Sequence, residues 1–221
     1  MRNDCQVLVV GAGITGLMIA RELVRRGADR ILILEKEPGV GAHASGRNSG
    51  VLHAGLYYTP DTLKARFCIE GNRQMKAFCR DKGLPVVETG KVVVATGPSD
   101  LEQLHELKRR AEACGAQASL IDRQTLAERE PYASTYEYAL FVPETAVIRP
   151  RAILAALEEE LVASGKVSIL LREAVLFCAN PGFRAAALAA WRRILTQSLL
   201  QEARHLVPAI RQADLERAGQ A

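Results

Sequence analysis

Val7-Leu8-Val9-Val10-Gly11-Ala12-Gly13-Ile14-Thr15-Gly16-Leu17, VLVVGAGITGL, is the stretch that decides the fold of this 221-residue chain. Gln6 to Val10 is a short valine-rich run that reads as a buried strand. Ile14, Leu17, Ala20, Leu23 and Val24 then fall on helical spacing, and Gly27 stands where that helix stops. Ile31 to Leu34 is a second apolar run, ending in Glu35-Lys36. Strand, glycine turn, helix and strand make one βαβ unit of a parallel sheet. In the turn, Gly11 permits the tight reversal, Gly13 lets backbone approach a pyrophosphate, and Gly16 lets helix and strand pack closely. Phosphates would sit at the helix N-terminus, where free N–H groups favour anions. Glu35 stands where such a fingerprint needs an acid for the adenosine ribose hydroxyls. Lys36 is either solvated or close to the adenosine phosphates.

The next informative stretch is SGRNSGVLHAGLYY, Ser45 to Tyr58. It does not read as a core strand or as an amphipathic helix. A nicotinamide-binding domain usually continues with more helix–strand units after its acid. Here a polar, glycine-rich segment follows, able to lie along an extended cofactor and offer it backbone N–H groups. That arrangement favours flavin over nicotinamide.

Further along, the pattern predicts a long helix from Asp61 to about Lys82, with Leu63, Phe67, Gly71, Met75 and Phe78 on its inner face. Apolar runs follow near Val86 and from Lys91 to Thr96. Ser99-Asp100-Leu101-Glu102 matches a capping box and predicts a helix that stops at Gly115. Asp122 to Glu130 is a short helix, and Leu140 to Ile148 a strand with a turn. Pro150 fits the first position of a helix ending at Gly165. Val167 to Leu171 is a strand, and Pro181 opens a last long helix.

Composition bounds the function. Hydrophobic residues make up 48% and charged residues 24% of the chain, enough to bury a core. A net charge of +4 with few aromatic residues gives no case for nucleic acid. It is compatible with small anions or with peripheral contact at an anionic membrane. The five cysteines include no CxxC pair, which argues against a disulfide framework and a zinc site, and for a reducing, cytoplasmic setting. No apolar run approaches the ~18 residues of a membrane span.

VLVVGAGITGL, ILILEKE and HASGRNSGVLHAGLYYTPDTLKARFCIEGN, taken together, resemble FAD-dependent oxidoreductases of the D-amino-acid oxidase-like superfamily. Within it the chain looks most like the L-2-hydroxyglutarate oxidase/dehydrogenase family. GKVVVAT (Gly90 to Thr96), EREP (Glu128 to Pro131) and FVPETAVIRP (Phe141 to Pro150) fit the same family in order. The resemblance implies an α/β fold: a Rossmann-like, glutathione-reductase-type FAD domain with a partial α+β substrate domain. Residues 1–86 and 150–175 would belong to the FAD domain, 87–149 to the substrate domain, and 176–221 to a late helical segment.

The resemblance also implies roles. Gly11, Gly13 and Gly16 would hold the FAD pyrophosphate, with Glu35 and Lys36 at the adenosine. Ser45, Arg47, Asn48, Ser49 and Gly50 would line the ribityl and ring side, joined by Val175. His53 would lie near the flavin and the substrate, either as base or as a simple hydrogen-bonding group. Arg47, Tyr57, Tyr58 and Lys64 are candidates for a dicarboxylate substrate, with packing roles open for the tyrosines and solvation for Lys64. The reaction implied is oxidation of L-2-hydroxyglutarate, or a related 2-hydroxy acid, to the 2-oxo acid. Electrons would pass to oxygen or to a membrane quinone chain.

After Leu171 the pattern departs from the family. Pro181 to Trp191 looks like a helical region from much later in it, as though a central portion were missing and the C-terminus cut. The expectation is then a substrate-domain sheet with an exposed edge. A non-catalytic remnant is the alternative to an active flavoenzyme.

Overall fold

In the computed structural model, residues 5–174 are described. Val175, the helix expected from Pro181, and Trp191 lie outside them. Three sheets of three strands carry the chain.

The first sheet is parallel, with order β1-β2-β9. Strand β1 (Val7–Val10) leads through the glycine turn into helix α1 (Ile14–Arg25) and back to β2 (Ile31–Glu35). Val7 pairs with Ile31 and Val10 with Leu34, which confirms the βαβ unit. Strand β9 (Val167–Leu171) pairs with the other edge of β2, Ile31 opposite Val167. Along β2 the side chains of Ile31, Ile33 and Glu35 are buried, so the inward row ends in a carboxylate. Helix α5 (Pro150–Ala163) precedes β9 and packs against α1, and Leu17, Ala20, Ile153, Leu157 and Leu161 join Ile31 and Ile33 in one core. Glu160 ties this layer together. It takes Arg21 Nε at 2.5 Å and Lys82 Nζ at 2.7 Å. Burial opposes its charge, but the hydrogen bonds from Lys82 and Arg21 outweigh that and hold the carboxyl below its ordinary range.

The second sheet joins β3 (Val51–Leu52), β8 (Ala146–Ile148) and β4 (Val86–Val87), with β8 central and antiparallel to both. The third places β7 (Tyr138–Val142) between β5 (Lys91–Val94) and β6 (Ser119–Asp122), also antiparallel. Helix α3 (Ser99–Ala113) covers one face, its Leu104, Leu107 and Ala111 packing with Leu140 and Val142. Helix α4 (Arg123–Arg129) follows β6 directly, with the Asp122 carboxylate accepting from Thr125 N–H at 2.8 Å as its cap.

Helix α2 (Leu63–Asp81) begins with Thr62 as its cap, and its buried face is the predicted one only towards its C-terminal end, where Phe78 is buried and Met75 packs on the core. Phe67 is 61% exposed and Gly71 is exposed, whereas Ala65, Ile69, Asn72, Lys76 and Cys79 are buried. The inward stripe is partly polar because those polar groups find partners. Asn72 Nδ2 lies 3.1, 3.2 and 3.1 Å from the carbonyl oxygens of Leu52, His53 and Glu144. One turn on, Lys76 Nζ donates to the Glu144 carbonyl at 2.7 Å and to Glu88 Oε2 at 2.9 Å. The Glu144 carboxylate in turn accepts from Gln117 N–H at 2.8 and 3.0 Å. The capping box also fails to form. Pro98 is the N-cap of α3, Ser99 lies inside the helix, and Asp100 accepts from Thr96 instead. No helix among the described residues is long and apolar enough to cross a membrane.

Asn72→Leu takes the amide donors from the carbonyls of Leu52 and His53 and leaves Lys76 alone on that of Glu144. The expected cost is about 2–3 kcal/mol, read as a lower urea midpoint with an unchanged slope. An unshifted midpoint would show that Asn72 does not pin α2 to β3 and the β7–β8 turn.

Candidate functional site

The site begins where β1 turns into α1. Gly16 is buried, and a Cβ there would lie 2.0 Å from the Gly11 carbonyl oxygen, so only glycine lets the helix pass the turn this closely. Gly13 is the N-cap in extended conformation, and a Cβ on it would stand 3.1 Å from Ser45 Oγ. No atom lies within 4 Å of where a Cβ on Gly11 would stand, so the mouth of the turn is open. The first N–H groups of a helix have no helical acceptor. Ser45 Oγ takes the one from Ile14 at 3.0 Å. Those of Thr15 and Gly16 have no partner among the described residues. An open turn with spare N–H donors at a helix N-terminus fits a phosphate group.

Glu35 is 8% exposed, and its carboxylate holds the turn. Oε2 accepts from Ala12 N–H at 2.8 Å and Oε1 from Glu37 N–H at 2.9 Å. Each oxygen keeps further lone-pair capacity for a hydroxyl donor. Next to it, exposed Lys36 contacts the Glu37 carboxylate, and His43 Nε2 lies 2.8 Å from Glu37 Oε1 and 3.0 Å from Lys36 Nζ. Hydrogen bonds from Lys36 and then His43 lower the Glu37 carboxyl to about 2. Lys36 is therefore neither free nor buried. It belongs to a surface cluster at the end of β2.

The polar loop comes back onto the turn. Gly41 N–H donates to the Ala12 carbonyl at 2.9 Å, and Ser45 reaches Ile14 as described. Asn48 fastens the loop to itself: Nδ2 donates to the carbonyls of Ala44 and Ser45, both at 2.9 Å, and Oδ1 accepts from Gly50 N–H at 2.9 Å. Gly50 is buried and its carbonyl accepts from Ile148 N–H at 2.8 Å, which starts the pairing of β3 with β8. Arg47 and Ser49 are exposed, with no side-chain partner among the described residues.

His53 is exposed, while its backbone carbonyl is gripped by Asn72 and approached by Cys68 Sγ at 3.4 Å. The two tyrosines each carry a lysine. Lys64 Nζ stands 4.5 Å from the centroid of Tyr58, and Lys91 Nζ stands 4.2 Å from that of Tyr57 while contacting its hydroxyl. The structure thus gathers Gly11, Gly13, Gly16, Glu35 and Ser45 at one turn. It strings Arg47 to Gly50 along one loop and sets His53, Tyr57, Tyr58 and Lys64 on the segment that follows. Val175 lies outside the described residues. Lys91, Asn72 and Lys76 went unread in the sequence, since nothing local marks a lysine in a strand or polar residues on a buried helix face.

Comparison with known proteins places the fold in a family. The FAD dependent oxidoreductase family matches residues 6–184. L-2-hydroxyglutarate dehydrogenase of Escherichia coli O17:K52:H18 is 40% identical over 159 residues, which is 72% of this chain and 37% of that protein. The mitochondrial L-2-hydroxyglutarate dehydrogenase of Pongo abelii is 33% identical over 165 residues, 74% of this chain and 39% of that protein. The chain therefore spans well under half of these curated relatives. Among solved structures, L-α-glycerophosphate oxidase from Mycoplasma pneumoniae with FAD bound superposes with a TM-score of 0.67 at 26% identity, covering 75% of this chain and 44% of that one. L-proline dehydrogenase from P. horikoshii gives 0.71 at 19% identity, covering 80% and 47%, a likeness of fold.

Gly16→Ala drives a methyl into the Gly11 carbonyl and is expected to cost at least about 3 kcal/mol. Gly13→Ala presses only on Ser45 Oγ and costs about 1 kcal/mol. Ser45→Ala relieves that pressure, so the Gly13→Ala/Ser45→Ala double variant loses less than the sum of the singles. Thermal unfolding checks the cycle; strict additivity would show that Ser45 does not rest on the turn.

Proposed function

This chain belongs to the FAD dependent oxidoreductase family, and on that premise we propose that it builds the walls of an FAD site serving oxidation of L-2-hydroxyglutarate, or a related 2-hydroxy acid, to the 2-oxo acid. The observation that carries this reading is the joint between the glycine turn and the polar loop. Ala12 is held by Glu35 on its N–H and by Gly41 on its carbonyl, and Ile14 by Ser45. On this reading the backbone at Gly11, Gly13 and Gly16 takes the pyrophosphate, and Glu35 takes the ribose hydroxyls without releasing Ala12. Lys36 stands beside the adenosine. Ser45, Arg47, Asn48, Ser49 and Gly50 face the ribityl and ring side, with Val175 as a further contact. Residues 1–86 and 150–175 form the cofactor part and 87–149 the substrate part.

Bound FAD supplies the hydride acceptor and the route for electrons to oxygen or a membrane acceptor. The rest falls to side chains. His53 takes the proton of the C2 hydroxyl on a ring nitrogen as the C2 hydride leaves, the general-base role an imidazole can fill. Arg47, free of any carboxylate partner among the described residues, offers a forked donor set to a substrate carboxylate. Tyr57, Tyr58 and Lys64 add hydroxyl and ammonium donors. The relatives named L-2-hydroxyglutarate dehydrogenase support the choice of substrate.

The visible spectrum of the purified chain tests the cofactor reading, with a flavin band at close to one FAD per chain expected. Anaerobic L-2-hydroxyglutarate should then bleach the band. His53→Ala should slow bleaching at least ~100-fold at unchanged FAD content. A colourless protein that takes up no FAD sinks the cofactor reading. A yellow protein that L-2-hydroxyglutarate leaves unbleached sinks the substrate reading alone.

A further inference from the structure

A cavity opens at the end of the third sheet, and none of the glycine turn's residues lines it. It measures about 440 Å³ and is lined by Thr89, Lys91, Arg129, Glu130 and Phe141 among others. That volume is in the range of small-molecule sites. Two cations border it, each set against an aromatic ring. The Arg129 guanidinium carbon stands 4.3 Å from the centroid of Phe141. The Lys91 ammonium stands 4.2 Å from that of Tyr57 and contacts its hydroxyl.

Attraction to an aromatic face holds a cation without consuming its N–H donors. Arg129 therefore keeps its five donors, and Lys91 spends one of three on the phenol oxygen. Neither has a carboxylate partner among the described residues. By contrast Arg21, Lys76, Arg80, Lys82 and Arg110 are each committed to a glutamate. Glu130 is the one acid in the lining, so the cavity carries a single net positive charge. That balance suits one carboxylate group, with its single charge, better than a phosphate group that concentrates two charges at one point.

We infer that this cavity binds a small organic carboxylate, with Arg129 and Lys91 donating to its oxygens. The site stands on its own residues, and only the substrate as a source of the carboxylate rests on the proposed reaction. Since Lys91 also touches Tyr57, the carboxylate is either one end of the substrate or a separate small acid.

Backbone amide shifts of residues 89–92 report occupancy directly. Acetate, glutarate and phosphate are titrated separately into FAD-free protein. Both carboxylates should move these amides, and phosphate should not at equal concentration. Arg129→Met and Lys91→Met should each weaken glutarate at least tenfold, with Arg129→Lys and Lys91→Arg recovering part of the loss. Native-like spectra elsewhere in each variant guard against unfolding. In FAD-loaded protein, L-2-hydroxyglutarate binding tenfold tighter than acetate would identify the substrate as the source, and equal affinity a separate acid; both support the site. Amides that no carboxylate moves, phosphate acting as strongly as acetate, or Met variants that bind as wild type would each overturn the inference.

Discussion

One buried carboxylate organises the N-terminal half of the described chain. Glu35 closes the inward row of β2, where an unpaired charge would be costly. It is satisfied by two backbone N–H groups, one from the glycine turn and one from the residue two places on. The bond to Ala12 fixes the turn against the end of β2, and the Ala12 carbonyl then receives Gly41. The polar loop is thereby brought back over the helix N-terminus, where Ser45 reaches Ile14. Without that carboxylate the strand end, the glycine turn and the loop would be three separate pieces of backbone.

A second polar pin joins this half to the antiparallel sheets. Asn72 and Lys76, one helical turn apart on α2, both end on the Glu144 carbonyl, and Asn72 also holds the carbonyls of Leu52 and His53. The backbone of His53 is thus tied to the β7–β8 turn, while its imidazole stays exposed. The lysines over Tyr57 and Tyr58 extend the same wall with cations held by aromatic rings.

The glycine turn, α1, β2 and Glu35 were legible because their signals are local: a strand run, a fixed glycine spacing and a 3.6-residue period, all within 30 residues. The reading of the polar loop as a cofactor wall rests on the resemblance carried by SGRNSG and HAGLYY, while its return onto the glycine turn carries no local signal. Ser45 as the partner of Ile14 was not legible, since the two are 31 residues apart. Strands β3 and β6 are too short to show a period, and pairing with β8 and β7 defines them. On α2, Phe78 and Met75 were read correctly, but Phe67 and Gly71 were not, because hydrogen bonds to distant carbonyls turn Asn72 and Lys76 inward instead. Ser99 kept the letters of a capping box, but the helix starts at its own position, with Asp100 turned back to Thr96.

Amide hydrogen exchange in the FAD-free protein tests most directly whether the turn and the loop form one preassembled unit. The account predicts that the Ala12 and Ile14 amides exchange slowly, and that Glu35→Gln speeds Ala12 and Ser45→Ala speeds Ile14 by tenfold or more, while β2 stays protected. Exchange of Ala12 and Ile14 at unstructured-peptide rates in the wild-type chain would contradict it.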